Sequence, residues 1–177
     1  MTQPPPEPTA PRRLRCEHAD GPLAIDTPRP RLAWQLAPGG PDDRPAFAQV
    51  RVFSGGLRSG RAEGVLWDSG RLSGDRLFVD YAGRSLQSFR RYLWRVRWGN
   101  AAGRVSPFSK TASFGTGALA ARDWTARWIA PRSVRTFATR GTTLLGRYLG
   151  DVVQPHAVYL RKEFAASLGV ARATVYI

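Results

Sequence analysis

The chain has 177 residues, 42% of them hydrophobic, with six Trp, a single cysteine and a formal charge of +14. That length suffices for one full domain and part of another, with a core that needs neither disulfide nor metal. The lone thiol, Cys16, excludes an internal disulfide, and no stretch approaches the roughly 18 consecutive apolar residues of a membrane-spanning helix.

Of the 27 basic residues only Lys110 and Lys162 are lysine, and the arginines never run more than two together. Residues 1–118 carry 18 basic and 10 acidic side chains (+8), and residues 119–177 carry 9 and 3 (+6). Proteins that recognise nucleic acid gather charge into a patch, stripe or tail. The even spread here, with abundant Ala, Gly and Pro, has the look of GC-rich coding, and no specific nucleic-acid partner is expected.

Residues 1–11, MTQPPPEPTAP, read as a disordered proline-rich tail. No apolar signal-peptide segment is visible in it, which implies a cytoplasmic protein with no membrane partner. From there to about residue 118 short alternating runs separated by Gly, Pro, Asp and Ser clusters predict an all-β sandwich. LRCEH supplies a first strand. Cys16 and His18, two apart on it, would make half a metal site and need two more ligands, so no metal or cofactor is expected.

RLAWQL places Leu32, Trp34 and Leu36 on one face, and FAQVRVF does the same for Ala48, Val50 and Val52, with Gln49 and Arg51 opposite. VLWDSG is a short strand ending in a turn, and RLFVDYAG groups Leu77, Val79 and Tyr81. In YLWRVRW the period is two: Tyr92, Trp94, Val96 and Trp98 share a face that points to a core, and Leu93, Arg95 and Arg97 turn to solvent. A nucleic-acid platform would instead show aromatic and basic side chains together on the exposed side. SKTASFGTG adds a last strand through Ala112 and Phe114, for seven in all.

The carboxylates of this region sit in turns: Asp42 and Asp43 beside Pro41, Asp68 in WDSG, Asp75 before a strand. None forms an acid–base pair by pattern, and Asp68 and Ser69 read as turn residues. No catalytic residue is assigned.

Residues 119–157 read as a connector followed by an irregular loop. Trp124 and Trp128, four apart, serve there as packing anchors at a domain junction; stacking on a sugar is the alternative use. VYLRKEF and ATVYI, within residues 158–177, predict the first strands of a second β-sandwich. A chain that ends at Ile177 in mid-strand suggests a truncated protein.

Leu86, six residues before Tyr92, and the strand that runs on to WGNAAG resemble the closing part of a fibronectin type III domain. There the Tyr hydroxyl returns to the backbone of the preceding corner. The wider succession LRCEHADGPLAIDTPRPRLAWQL, AQVRVF, LWDSGRL, YLWRVRWGNAAGRVSPFS, ASFGTG, DWTARWIAP, YLRKEF and ATVYI resembles the N-terminal region of bacterial α-L-rhamnosidases, which are inverting glycoside hydrolases. The resemblance implies a fibronectin-like domain followed by the start of a second β-sandwich. The acid and base carboxylates of such enzymes belong to an α/α barrel that nothing here matches. It implies a parent enzyme that cleaves terminal α-L-rhamnosyl bonds, with this chain non-catalytic and packed in cis against the remaining domains. The rival is a free-standing carbohydrate-binding module for a rhamnoside, with Trp124, Trp128 and Trp98 as its exposed aromatics.

Overall fold

The structure, a computed structural model, describes residues 8–37, 44–55, 62–127, 136–142 and 148–155, with isolated positions after 160. Two compact units divide the chain, the second being Thr125–Val170. The first holds β1 (Arg12–Cys16), β2 (Arg31–Gln35), β3 (Pro45–Gly55), β4 (Ala62–Asp68), β5 (Leu72–Ser73), β6 (Phe78–Asp80), β7 (Arg91–Asn100) and β8 (Ala112–Gly115). They form a three-stranded sheet in the order β1-β2-β6 and a five-stranded sheet in the order β4-β3-β7-β8, with β5 also pairing β3. Every pairing between these strands is antiparallel. This is the two-sheet, crossed-over arrangement of the immunoglobulin and fibronectin type III sandwiches, so the all-β expectation is met. The two-residue β5 is a strand that the alternation did not announce.

The alternation read from the sequence becomes the core. Leu32 and Trp34 from β2, Ala48, Val50 and Val52 from β3, Tyr92, Trp94 and Val96 from β7 and Phe114 from β8 are buried in one cluster with Leu14, Cys16, Ile25, Tyr81 and Leu86. Register places Val52 beside Trp94 and Val50 beside Val96, and Tyr92 faces Phe114 across the next ladder. The Tyr92 and Phe114 rings stack with centroids 5.3 Å apart, while Trp67 meets Tyr81 edge-on at 5.2 Å. A large aromatic buried in this way contributes about 3–5 kcal/mol by the cost of truncating it. Trp98 lies on the same side of β7, 3% exposed, and its indole N–H donates to the Thr9 carbonyl at 2.8 Å. Pro8 and Pro11 are buried as well. Residues 8–11 are therefore packed, which corrects the disordered tail for that part; residues 1–7 lie outside the described residues.

The corner before β7 is closed by hydroxyls. The Tyr92 hydroxyl accepts from the Gln87 N–H at 2.7 Å, and the Thr116 hydroxyl accepts from the Arg90 N–H at 3.0 Å while donating to the Gln87 carbonyl at 2.6 Å. Leu86, just before the corner, is buried. These bonds hold Phe89 at a left-handed φ of 57°. On the other flank Gly115 donates to Pro22 and accepts from Ile25, and its Cα runs so close to the Leu23 carbonyl that no Cβ fits.

The second face of the five-stranded sheet differs from expectation. Arg95 and Arg97 are half-buried, and Phe47, Phe53 and Leu93 beside them are buried. Phe108, from the segment between β7 and β8, lies among three guanidiniums: Arg51, Arg95 and Arg97 approach its ring centroid at 5.0, 4.6 and 4.8 Å. Arg95 also lies over Phe53 at 5.2 Å. Such contacts contribute roughly 0.5–1 kcal/mol each where partly exposed. The arginines of this face thus pave apolar rings with their planar heads instead of standing free in solvent, a lateral packing invisible to a period-two reading.

The second unit contains β9 (Thr136–Thr142) and β10 (Tyr148–Pro155), an antiparallel pair with Arg140 opposite Asp151, Thr139 opposite Val152 and Ala138 opposite Val153. This corrects the irregular loop expected within residues 119–157. Thr and Val favour strands, but an Arg-Gly step in β9 and a Gly-Asp step in β10 break the alternation that would have announced them. The strands expected within residues 158–177 fall largely outside the described residues. No helix among the described residues is long and apolar enough to cross a membrane.

Candidate functional site

Trp124 closes a 3-10 turn, Ala121–Asp123, that follows β8, and it stands 44% exposed. The turn is tied down by Asp123, whose carboxylate accepts from the Ser88 hydroxyl at 2.5 Å and from the Ala120 N–H at 3.1 Å. Ser88 in turn accepts from the Leu119 N–H at 2.9 Å. The position of Trp124 is thus fixed from the β7 corner. Its proposed companion Trp128 lies outside the described residues. Trp98, the third aromatic considered for sugar stacking, is enclosed in the sandwich and offers no surface, because its even spacing along β7 places it on the core side.

Asp68 and Ser69 take up structural work. The Asp68 carboxylate accepts from Gln49 Nε2 and Arg51 Nε, both at 2.7 Å, and from the Gly70 N–H at 3.0 Å. The Ser69 hydroxyl accepts from the Val50 N–H at 2.9 Å. Burial pushes the Asp68 carboxyl up, but the bonds from Gln49, Arg51 and Gly70 and the charge of Arg51 together outweigh it and hold the group below its usual range. A carboxyl so held stays ionised, the opposite of what a general acid requires. Asp42 and Asp43 lie outside the described residues.

Cys16 lies in the core. It is buried, and its burial, with the charge of Glu17 adding to it, pushes the thiol up to about 12. Among the described residues no three His, Cys, Asp or Glu side chains come together as a metal cage.

The structure does gather one polar constellation that spacing alone did not reveal. After β1 the chain reverses through Cys16–Ala19, where the two end residues exchange N–H to carbonyl bonds of 2.9 and 3.0 Å. The two central residues, Glu17 and His18, both take left-handed φ values, 48° and 65°. That is the tight hairpin geometry normally filled by Asn-Gly, and side chains such as these cost about 1–2 kcal/mol each there. The turn is held to β2: the Glu17 N–H donates to the Arg31 carbonyl at 3.0 Å, and the Glu17 carboxylate accepts from the Arg31 N–H at 2.6 Å.

Across from the turn, register sets Arg31 beside Asp80 and Ala33 beside Phe78, on the outer face of the β1-β2-β6 sheet. Arg31 Nε donates to Asp80 Oδ1 at 3.0 Å, an exposed pair of about 0–1 kcal/mol. Its guanidinium lies 4.7 Å over the Phe78 ring, yet Phe78 remains 45% exposed. Glu17, His18, Arg29, Arg31 and Asp80 line an open cleft of ≈ 390 Å³. His18 lines the cleft beside Glu17, and Cys16 is in the core. A positive φ in two ordinary residues has no signature in the sequence, and Arg29, Arg31 and Asp80 join only through strand pairing.

The family model described as the Rha78A-like, N-terminal immunoglobulin domain matches residues 11–120 of the chain. An α-L-rhamnosidase of Streptomyces avermitilis is 38% identical over 115 residues, 64% of this chain and 11% of that protein. One of Formosa agariphila is 30% identical over 158 residues, 88% of this chain and 16% of that protein. Among solved structures, the α-L-rhamnosidase from Dictyoglumus thermophilum superposes with a TM-score of 0.66 at 26% identity, over 81% of this chain and 16% of that one. The Streptomyces avermitilis α-L-rhamnosidase complexed with L-rhamnose gives 0.63 at 32% identity, over 75% and 13%. The chain thus spans only 11% to 16% of the length of the proteins it matches here.

Proposed function

Because the chain belongs, over residues 11–120, to the family of Rha78A-like N-terminal immunoglobulin domains, we propose that it is a non-catalytic N-terminal part of an α-L-rhamnosidase. Its parent activity is hydrolysis of terminal α-L-rhamnosyl bonds, and its own task is to pack in cis against the remaining domains. The observation that carries this reading is the family match itself, which coincides with the β1–β8 sandwich.

The chemistry of the carboxylates supports the non-catalytic half. Inverting hydrolysis needs a protonated acid and a second carboxylate across the scissile bond, about 6.5–9.5 Å away. Asp68 is committed to Gln49, Arg51 and Gly70, and Asp123 to Ser88 and Ala120. Asp80 pairs with Arg31, and Glu17 secures its own turn. Each of these acts as a hydrogen-bond acceptor within the fold. The rival carbohydrate-binding module has the exposure of Trp124 in its favour, while Trp128 lies outside the described residues.

The purified chain incubated with an aryl α-L-rhamnoside is expected to release no phenol above the buffer rate at any pH from 4 to 9. Turnover that survives repurification and is lost on Glu17→Gln or Asp80→Asn substitution would place catalysis in this chain and overturn the reading.

A further inference from the structure

We propose that the outer face of the five-stranded sheet, where Arg51, Arg95 and Arg97 surround Phe108, docks an acidic protein surface through its carboxylates. In the packing role stated above, on which the identity of this partner rests, that surface belongs to another domain of the same enzyme. The charge of the face is not balanced within the fold. Register sets Arg51 directly opposite Arg95, and like charges so placed on adjacent strands destabilise a sheet. Among the described residues Asp68 is the one carboxylate bonded to any of the three guanidiniums, and it is engaged by Arg51 and Gln49. Arg97 Nε donates to the neutral Gln49 Oε1 at 2.8 Å, and Arg95 Nε is buried without a hydrogen-bond partner. Three guanidiniums against one carboxylate leave two positive charges gathered around a single ring, and Arg71 adds another guanidinium 4.5 Å over the neighbouring Phe47.

The face is also prepared for contact. Arg95 is held against Phe53 and Phe108, and Phe47, Phe53 and Leu93 form a buried floor beside it. Guanidiniums fixed over rings before a partner arrives have less rotamer freedom left to lose on docking, and their planar forks match carboxylates. Arginine and aromatic rings are the side chains that protein interfaces enrich. A carboxylate brought to this cluster supplies the counter-charge that the Arg51–Arg95 pairing lacks. A second copy of the chain is a poor occupant, because it has a formal charge of +14 and the same basic face. Proteins matched by this chain are six to nine times its matched length, so the remaining domains of such an enzyme offer most of the surface within reach.

The test is a nitrogen–proton NMR titration of the full chain with an acetylated, amidated pentapeptide of alternating glutamate and glycine, beside its glutamine counterpart. Saturable shifts at the amides of residues 51, 95, 97 and 108 are expected with the glutamate peptide and none with the glutamine one. Arg95→Gln and Arg97→Gln should each weaken binding by about tenfold, and Arg31→Gln, on the other sheet, should leave it unchanged. The proposal is overturned if the glutamate peptide gives no saturable shift or if the two peptides act alike. It is overturned equally if Arg31→Gln weakens binding as much as Arg95→Gln, which would mark a general response to the charge of the chain. The same holds if a short DNA duplex, or the chain itself at rising concentration, moves these amides and the glutamate peptide does not. The neighbouring-domain partner is tested in the Streptomyces avermitilis relative carrying residues 8–124 of this chain in place of its matching segment. There Arg95→Gln should lower the unfolding temperature by more than it does in the chain alone, and an equal loss overturns that partner. A graft that restores no stability with Arg95 in place would instead overturn the packing role, and the peptide result would stand apart from it.

Discussion

Truncating Trp94 to alanine is expected to destabilise the sandwich by about 3–5 kcal/mol, a large part of the roughly 5–15 kcal/mol that holds a domain folded. Trp94 is fully buried at the middle of β7, between Val52 on β3 and Ala112 on β8, where the two ladders prevent the backbone from closing the void. Its neighbour Arg95 points to the opposite face, over Phe53 and Phe108. Arg95→Ala removes two cation–ring contacts and some apolar cover, and is expected to cost about 1–2 kcal/mol. Urea unfolding of the two variants beside the parent chain measures both. A Trp94→Ala midpoint equal to that of the parent, or an Arg95→Ala loss the greater, would mean that the faces of β7 are assigned the wrong way round.

Tyr92→Phe is the second large effect. The ring and its stacking on Phe114 are kept, and only the hydroxyl goes, leaving the Gln87 N–H without its 2.7 Å acceptor. An orphaned donor in a closed corner costs about 1–3 kcal/mol. The loss should appear as a lower urea midpoint at unchanged slope, since the surface exposed on unfolding is the same. Thr116 grips the same corner through Arg90 and Gln87, so Tyr92→Phe and Thr116→Val together should depart from additivity. Additive losses would mean that the two hydroxyls secure the corner independently.

The residues of the sandwich could be read in advance because burial on one face leaves a period of two. Leu32 and Trp34, Val50 and Val52, and Trp94 and Val96 all follow that period into the core. The tyrosine corner was legible for a related reason: Leu86 and Tyr92 are close enough in sequence for their spacing to carry the geometry. Elsewhere the signal is non-local. Phe108 reaches three arginines on two strands, so their half-buried state depends on pairing between β3 and β7 and not on any local run. The hairpin of β9 and β10 is masked by glycines that interrupt its alternation. The cleft depends on two backbone angles in the Cys16–Ala19 turn and on the register between β2 and β6. Neither is encoded by residue type at Glu17, His18 or Asp80.

In the proposed role this domain supports an α-L-rhamnosidase without performing its chemistry. The most direct measurement uses the Streptomyces avermitilis relative with its matching N-terminal segment deleted, and the same enzyme with that segment replaced by residues 8–124 of this chain. Thermal unfolding and aryl α-L-rhamnoside hydrolysis are followed in both. The deletion should lower the unfolding temperature and the activity that survives heating, and the graft should restore both. A deletion enzyme as stable and active as its parent, or a graft that folds and restores neither property, would contradict the account.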